Sequence, residues 1–181
     1  MNRVGMIAAA VLLFAHAALA QPADKKDLQL FNDVSKAVNR YTQFTIFDDI
    51  SADVKDGVVT LDGKVTMPYK RDDIAKRVAK VDGVTSVVDR VQVLPVSQWD
   101  DQLRYRIARA IYGNANFWNY AASANPPIHI LVEHGHVTLT GVVQSDVEKM
   151  LARSLVNQFG VTSVDNKLLT AAEAREQLEK S

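Results

Sequence analysis

The chain contains no cysteine. That excludes disulfide bracing, thiolate metal ligands and a thiol nucleophile. It also excludes the lipid anchor that bacterial exported proteins carry on a cysteine just after the leader. An excess of one charge is missing too, since 21 Lys+Arg balance 21 Asp+Glu. A neutral chain projects no global field to gather nucleic acid, so no nucleic-acid partner is expected, while local basic patches stay open. Long apolar runs are confined to the N-terminus, so no transmembrane helix is expected in the rest of the chain. Glycine is scarce at 8 residues, and turns and helix ends account for those present. No phosphate-cradling glycine loop remains. Gly-x-Ser-x-Gly and His-Glu-x-x-His are absent. The sequence therefore gives no catalytic residues and no cofactor, and the expected class is non-enzymatic.

What is present begins with a leader. Arg3 supplies a positive n-region, Val4 to Ala18 is mostly apolar and short, and Ala18-Leu19-Ala20 is a small-x-small cleavage site. Residues 1–20 read as a cleavable signal peptide, with Gln21 as the mature N-terminus and the periplasm as destination. The other reading is an uncleaved anchor, though the apolar stretch falls short of a comfortable span. Without Arg3 the formal charge is near −1.

The mature chain then says the same thing twice. Gly57-Val-Val-Thr-Leu-Asp-Gly63-Lys-Val65 recurs as Gly135-His-Val-Thr-Leu-Thr-Gly141-Val-Val143. Gly83-Val-Thr-Ser-Val87 recurs letter for letter as Gly160-Val-Thr-Ser-Val164. The offsets are 78 and 77 residues, which marks a duplicated module. A tandem module points towards binding rather than a single catalytic cleft. Each copy is about 70 residues, a size at which one core is only marginally stable. The linker, residues 95–98, is short, so the modules are expected to touch and to share apolar surface.

Each copy reads as α-β-β-α-β, an α+β fold with helices on one face of a small three-stranded sheet. Leu30, Phe31, Val34, Ala37 and Val38 recur at helical spacing, as do Leu103, Ile107, Ala110 and Ile111. Asp100 and Asp101 suit the positive end of the second of these helices. A hairpin follows, turning at Asp56-Gly57 or His134-Gly135. Val54 should oppose Val59, Ala52 Leu61, Val132 Val137 and Ile130 Leu139. Gly63 and Gly141 within the return strand signal a bulge or close backbone approach, one candidate being the overlying helix. Pro68 opens the next helix in copy one, with Ile74, Ala75 and Val78 inward. Ser145 and Glu148 form a capping box in copy two, ahead of a Val147, Met150, Leu151, Leu155, Phe159 stripe. Gly83 and Gly160 should stop these helices. The last strands carry Val87, Val91 and Val93, or Val164 and Leu168. Residues 171–181 read as a polar, helix-prone, frayed tail.

This pattern resembles the BON domain family, and in tandem behind a signal peptide it is similar to the periplasmic osmotic-stress-type BON proteins. The resemblance covers residues 27–94 and 99–170. It implies a non-catalytic envelope role, with phospholipid binding the proposed activity and osmotic or envelope stress the setting. One branch of the family is lipid-anchored; lacking the cysteine, this chain would touch membranes only by reversible surface forces.

Two segments could carry a binding function. Copy two has an insert, Tyr112 to Pro127, with Phe117, Trp118 and Tyr120 within four positions. These rings could form an aromatic tip for a membrane or protein partner, or could plug the seam between the copies. In copy one, Lys70, Arg71, Lys76, Arg77 and Lys80 could be a solvated helical face or a contact for anionic lipid headgroups. At about 1 kcal/mol per basic residue, the net +3 of that segment gives only about 3 kcal/mol. The expected partners are thus an anionic phospholipid surface or, alternatively, envelope proteins gripped adaptor-fashion or chaperone-fashion by the insert. The oligomeric state stays open. His129, Glu133, His134 and His136 read as exposed polar residues; Glu133 faces His136 across the hairpin, but no three ligands converge.

Overall fold

The computed structural model describes residues 23–180. The leader, residues 1–20, lies outside the described residues. Copy one runs α1 (Ala23–Asn39), β1 (Asp49–Lys55), β2 (Val58–Val65), α2 (Pro68–Val78), β3 (Ser86–Asp89) and β4 (Gln92–Val93). Copy two runs α3 (Gln98–Tyr112), a 3-10 turn over Ala115–Phe117, α4 (Trp118–Ala121), β5 (Ile128–Glu133), β6 (His136–Val143), α5 (Asp146–Val156), β7 (Ser163–Asn166) and β8 (Leu169–Thr170). A final helix, α6, spans Ala171–Lys180. Each copy is an α+β layer of helices on a small sheet.

The hairpins have the register that alternation predicts. Val54 opposes Val59 and Ala52 opposes Leu61; Val132 opposes Val137 and Ile130 opposes Leu139. Both turns place two residues in the left-handed region, Asp56 and Gly57 or His134 and Gly135. An acid from the preceding helix holds each turn. Asp27 accepts the Asp56 N–H at 3.1 Å, while Asp100 accepts those of His134 and Gly135, both at 2.9 Å. Asp100 thus spends its carboxylate on the hairpin rather than on its own helix end.

The recurring landmarks recur because they touch. The Thr85 N–H donates to the Gly57 carbonyl at 2.8 Å, and the Thr162 N–H to that of Gly135 at 2.9 Å. The last segment of each copy pairs parallel to β2 or β6, and a break divides it into two short strands. Asp89 accepts the Val91 N–H at the first break.

Three expectations need correcting. The close approach at Gly63 and Gly141 comes from the neighbouring strand, not from a helix. A Cβ on Gly63 would lie 2.1 Å from the Asp49 carbonyl oxygen, and one on Gly141 1.8 Å from that of Pro127. Helices α2 and α5 end at Val78 and Val156, before Gly83 and Gly160, which instead shape the turns into β3 and β7. The tail is not frayed at its start. Thr170 and Glu173 form a reciprocal capping box, and Lys149 bonds both Glu173 oxygens. The Lys149 bond first, then the Thr170 N–H, bring the Glu173 carboxyl down to about 2.

Each copy has its own core. Val34, Val59, Leu61, Val65, Ile74 and Val78 are fully buried in the first; Leu103, Ile107, Ile130, Val132, Leu139 and Val156 are fully buried in the second. Each such side chain contributes about 1.5–3 kcal/mol. Ile46 and Phe47, from the loop after α1, pack against the second core, so the copies do share apolar surface. The Ile130 N–H donates to the Ile46 carbonyl at 2.7 Å, covering part of the open edge of β5.

Candidate functional site

The basic segment of copy one divides into two chemistries. Lys70 is buried, and its ammonium donates to Asp48 Oδ2 at 2.6 Å and to Thr66 Oγ1 at 2.8 Å. It is therefore a structural cation with no access to a headgroup. The reason is position: Lys70 stands in the first turn of α2 and points back over the end of β2. Arg71 is half-buried and spent on acids, 3.3 Å from Asp72 and 3.8 Å from Asp89. Lys76, Arg77 and Lys80 are exposed.

These three meet a fourth cation that the sequence reading missed. Arg40, just past the end of α1, joins them around an open cleft of about 590 Å³, together with Ala37, Asp73 and Val81. Antiparallel packing of α1 on α2 brings residue 40 beside residues 76–80, and nothing in the local sequence signals it. Asp73 is the one acid in the lining, and its Oδ2 already accepts the Tyr41 hydroxyl at 2.8 Å. Burial first, then Asp73, pushes that phenol up to about 12, so it stays a neutral donor. The Arg77 guanidinium lies 4.8 Å from the Tyr41 ring centroid, a cation–π contact that orients it. Lys76 and Arg77 also sit in the last turn of α2, where cations offset the exposed carbonyl end.

The aromatic insert does not act as one unit. Phe117 is fully buried in the second core and is no surface tip. It stacks on Tyr120 with centroids 6.0 Å apart. Tyr120 donates to Glu148 Oε2 at 2.7 Å and accepts the Gln144 N–H at 3.0 Å. Burial first, then Glu148, raises that phenol to about 12. Only Trp118 is exposed, at 64%. At the seam, Ile46 and Phe47 pack against the same core, the latter edge-on to Tyr105 at 5.2 Å.

Tyr120 has a counterpart in copy one. The backbone N–H that ends β2, at Thr66, is bound by the Asp48 carboxylate, with Lys70 as counter-charge. The matching N–H in copy two, at Gln144, is bound by Glu148 and Tyr120. Acid on the loop and base on the helix in one copy become phenol on the insert and acid on the helix in the other. The capping box of α5 is altered by this. Ser145 accepts the Glu148 N–H at 3.3 Å as predicted, but the Glu148 side chain reaches Gln144 instead of Ser145.

Copy two exposes apolar groups that the sequence assigned to its core. On α5 the buried residues are Ala152 and Val156, while Leu151 and Leu155 are half-buried. Val147 and Met150 face solvent, being 67% and 65% exposed. Phe159 is 84% exposed and meets Trp99 edge-on at 6.3 Å. Arg106 lies over Trp99 and donates to the Phe159 carbonyl at 3.0 Å.

The histidines separate as well. Glu133 opposes His136 in register, and its carboxylate is paired across the seam with Lys64. His129 is not an exposed polar residue. It is half-buried at the seam, with Nδ1 2.6 Å from the Asp48 carbonyl oxygen and its ring 5.5 Å from that of Phe44. Among the described residues no group of three His, Cys, Asp or Glu could hold a metal ion. No described helix is long and apolar enough to cross a membrane.

These features define a duplicated α+β module, fused along one seam, with a basic cleft on the first copy and exposed aromatic groups on the second. Residues 27–95 and again 100–172 match the BON domain, and the chain belongs to the BON domain family. This is a family of envelope proteins, generally non-enzymatic and linked to phospholipid binding. Similar solved structures include the C-terminal domain of CdsD, the structural protein of the type III secretion system of Chlamydia trachomatis. It has 13% identity and a TM-score of 0.32 over 80% of this chain and 66% of that one. A second structure of CdsD has 14% identity and a TM-score of 0.28, over 83% of this chain and 97% of that one. No curated protein matches the chain.

Proposed function

We propose that this is an exported, non-enzymatic periplasmic protein that associates reversibly with anionic phospholipid and supports tolerance of envelope or osmotic stress. Residues 1–20 serve as the signal peptide, so the exported protein starts at Gln21. The observation that carries the lipid reading is the convergence of Arg40, Lys76, Arg77 and Lys80 on one cleft whose single acid is already bonded. Four cations near an anionic surface are worth about 4 kcal/mol, a millimolar affinity alone. A ring inserted into the same membrane would add about 2–3 kcal/mol, and Trp118, Trp99 and Phe159 are exposed on copy two. The stress role follows from the family alone.

Co-sedimentation of the exported protein with vesicles tests this. Binding is expected to vesicles containing phosphatidylglycerol, to be weak on pure phosphatidylcholine, and to fall steeply between low and high salt. Equal binding to both lipids, or to neither, defeats the reading. A second reading, docking of a protein client, is favoured by the exposed apolar row Val147 and Met150 with Phe159 nearby in the chain. Such a contact would survive high salt.

A further inference from the structure

Three cavities lie along the seam, away from the basic cleft; one, lined by Lys64, Glu133 and Lys167, is polar, and the other two adjoin each other. The larger of the adjoining pair, about 510 Å³, is walled by α1 and β1 of copy one and by Leu169 and α6 of copy two. Phe31, Val34, Val38, Phe44, Ile50 and Leu169 make it mainly apolar. The smaller, about 390 Å³, runs towards Pro126 and Pro127 of the insert. Asn39, Phe44 and His129 line both, so the two adjoin. A site of some 300–1,000 Å³, mostly apolar with a few fixed polar groups, suits a small organic ligand.

The lining also selects charge. No lysine or arginine lines either cavity among the described residues, and Asp49 contributes a carboxylate. An anionic head would meet like charge there, with no cation in the lining to offset it. His129 supplies the polar end. A carbonyl oxygen can only accept, so Nδ1 beside the Asp48 carbonyl carries a proton, and Nε2 is the ring's remaining polar atom. Phe44 packs on the ring and fixes its orientation.

We propose that the seam cavity binds one neutral single-chain amphiphile, its chain between α1 and α6 and its hydroxyl hydrogen-bonded to His129 Nε2. This goes beyond the membrane-surface reading and does not rest on it.

The test is a titration of the exported protein with N-phenyl-1-naphthylamine, a neutral apolar probe that fluoresces when bound. Saturation at one probe per chain is expected. Dodecan-1-ol should displace it, and dodecanoate, of equal chain length but anionic, about tenfold less effectively or worse. Ala174→Phe, which fills the α6 wall, should weaken probe binding about tenfold or more while leaving thermal melting and vesicle sedimentation unchanged. Gln177→Phe, at an exposed site on the same helix, repeats the test should Ala174→Phe alter folding. Absence of saturable binding, equal displacement by dodecanoate, or full binding by both filled variants would overturn the proposal. Vesicle binding is read separately, so failure here is distinguishable from failure there.

Discussion

Replacing Asp48 with alanine is expected to lower folding stability by about 3–5 kcal/mol, the cost of stranding a buried charge. The Asp48 carboxylate is fully buried and accepts five hydrogen bonds, from the Thr45 N–H and hydroxyl, the Thr66 N–H and hydroxyl, and the Lys70 ammonium. Alanine leaves Lys70 charged in a dry site and four more donors unmet. The damage should extend to the seam, because the same loop delivers Ile46 and Phe47 to the second core and the Asp48 carbonyl to His129. Urea unfolding followed by circular dichroism measures the loss. In the double variant Asp48→Ala/Lys70→Met no charge is stranded, so part of the stability should return.

The same site sets a pH dependence with a definite sign. Burial pushes the Asp48 carboxyl up, but the Lys70 bond and those of Thr66 and Thr45 together outweigh it and hold it below its ordinary 3.8. A carboxyl depressed in the folded state adds stability that is fully present above the unfolded value. That stability is lost as pH falls through the folded one. The gap between wild type and Asp48→Ala should therefore be constant above about pH 5 and shrink as the pH drops below about 4. A gap that persists unchanged into strong acid would show that the carboxylate is not the source.

Reversing two charges, Lys76→Glu with Lys80→Glu, should weaken binding to anionic vesicles by roughly a thousandfold. Each cation contributes about 1 kcal/mol near such a surface, and reversal replaces attraction by repulsion, giving about 4 kcal/mol in all. Both side chains are exposed, so the cost in stability should stay near or below about 1 kcal/mol, mainly the lost complement to the end of α2. Lys55→Glu is the control. Lys55 is exposed and alternates with the core-facing Val54, so it lies on the sheet face away from the helices. Its reversal should change vesicle binding little.

The fold was legible where periodicity carries it. Alternation in β1, β2, β5 and β6 marks the register, and two landmarks at nearly equal offsets mark the duplication. The failures share one cause. A side chain's environment depends on what packs over it from elsewhere in the chain, and one segment does not record that. Lys70 reads as one of five surface cations until Asp48 is found beneath it. Phe117 and Trp118 are neighbours in sequence, yet one fills a core and the other faces solvent, because the 3-10 turn and α4 present them in different directions. On α5 the predicted stripe is only half inward: Leu151 and Leu155 pack on the core, but Ala152 and Val156, not Val147 and Met150, are its buried residues. Arg40 could not be assigned to the basic cleft without the pairing of α1 on α2.

The most direct measurement is a nuclear magnetic resonance footprint of the isotope-labelled protein, residues 21–181, on phosphatidylglycerol nanodiscs with spin-labelled headgroups. The account predicts that the amides of Arg40, Lys76, Arg77 and Lys80 broaden most strongly, and that the effect fades as salt is raised. Broadening confined to the sheet faces, or none at these four positions when the protein is bound, would contradict it.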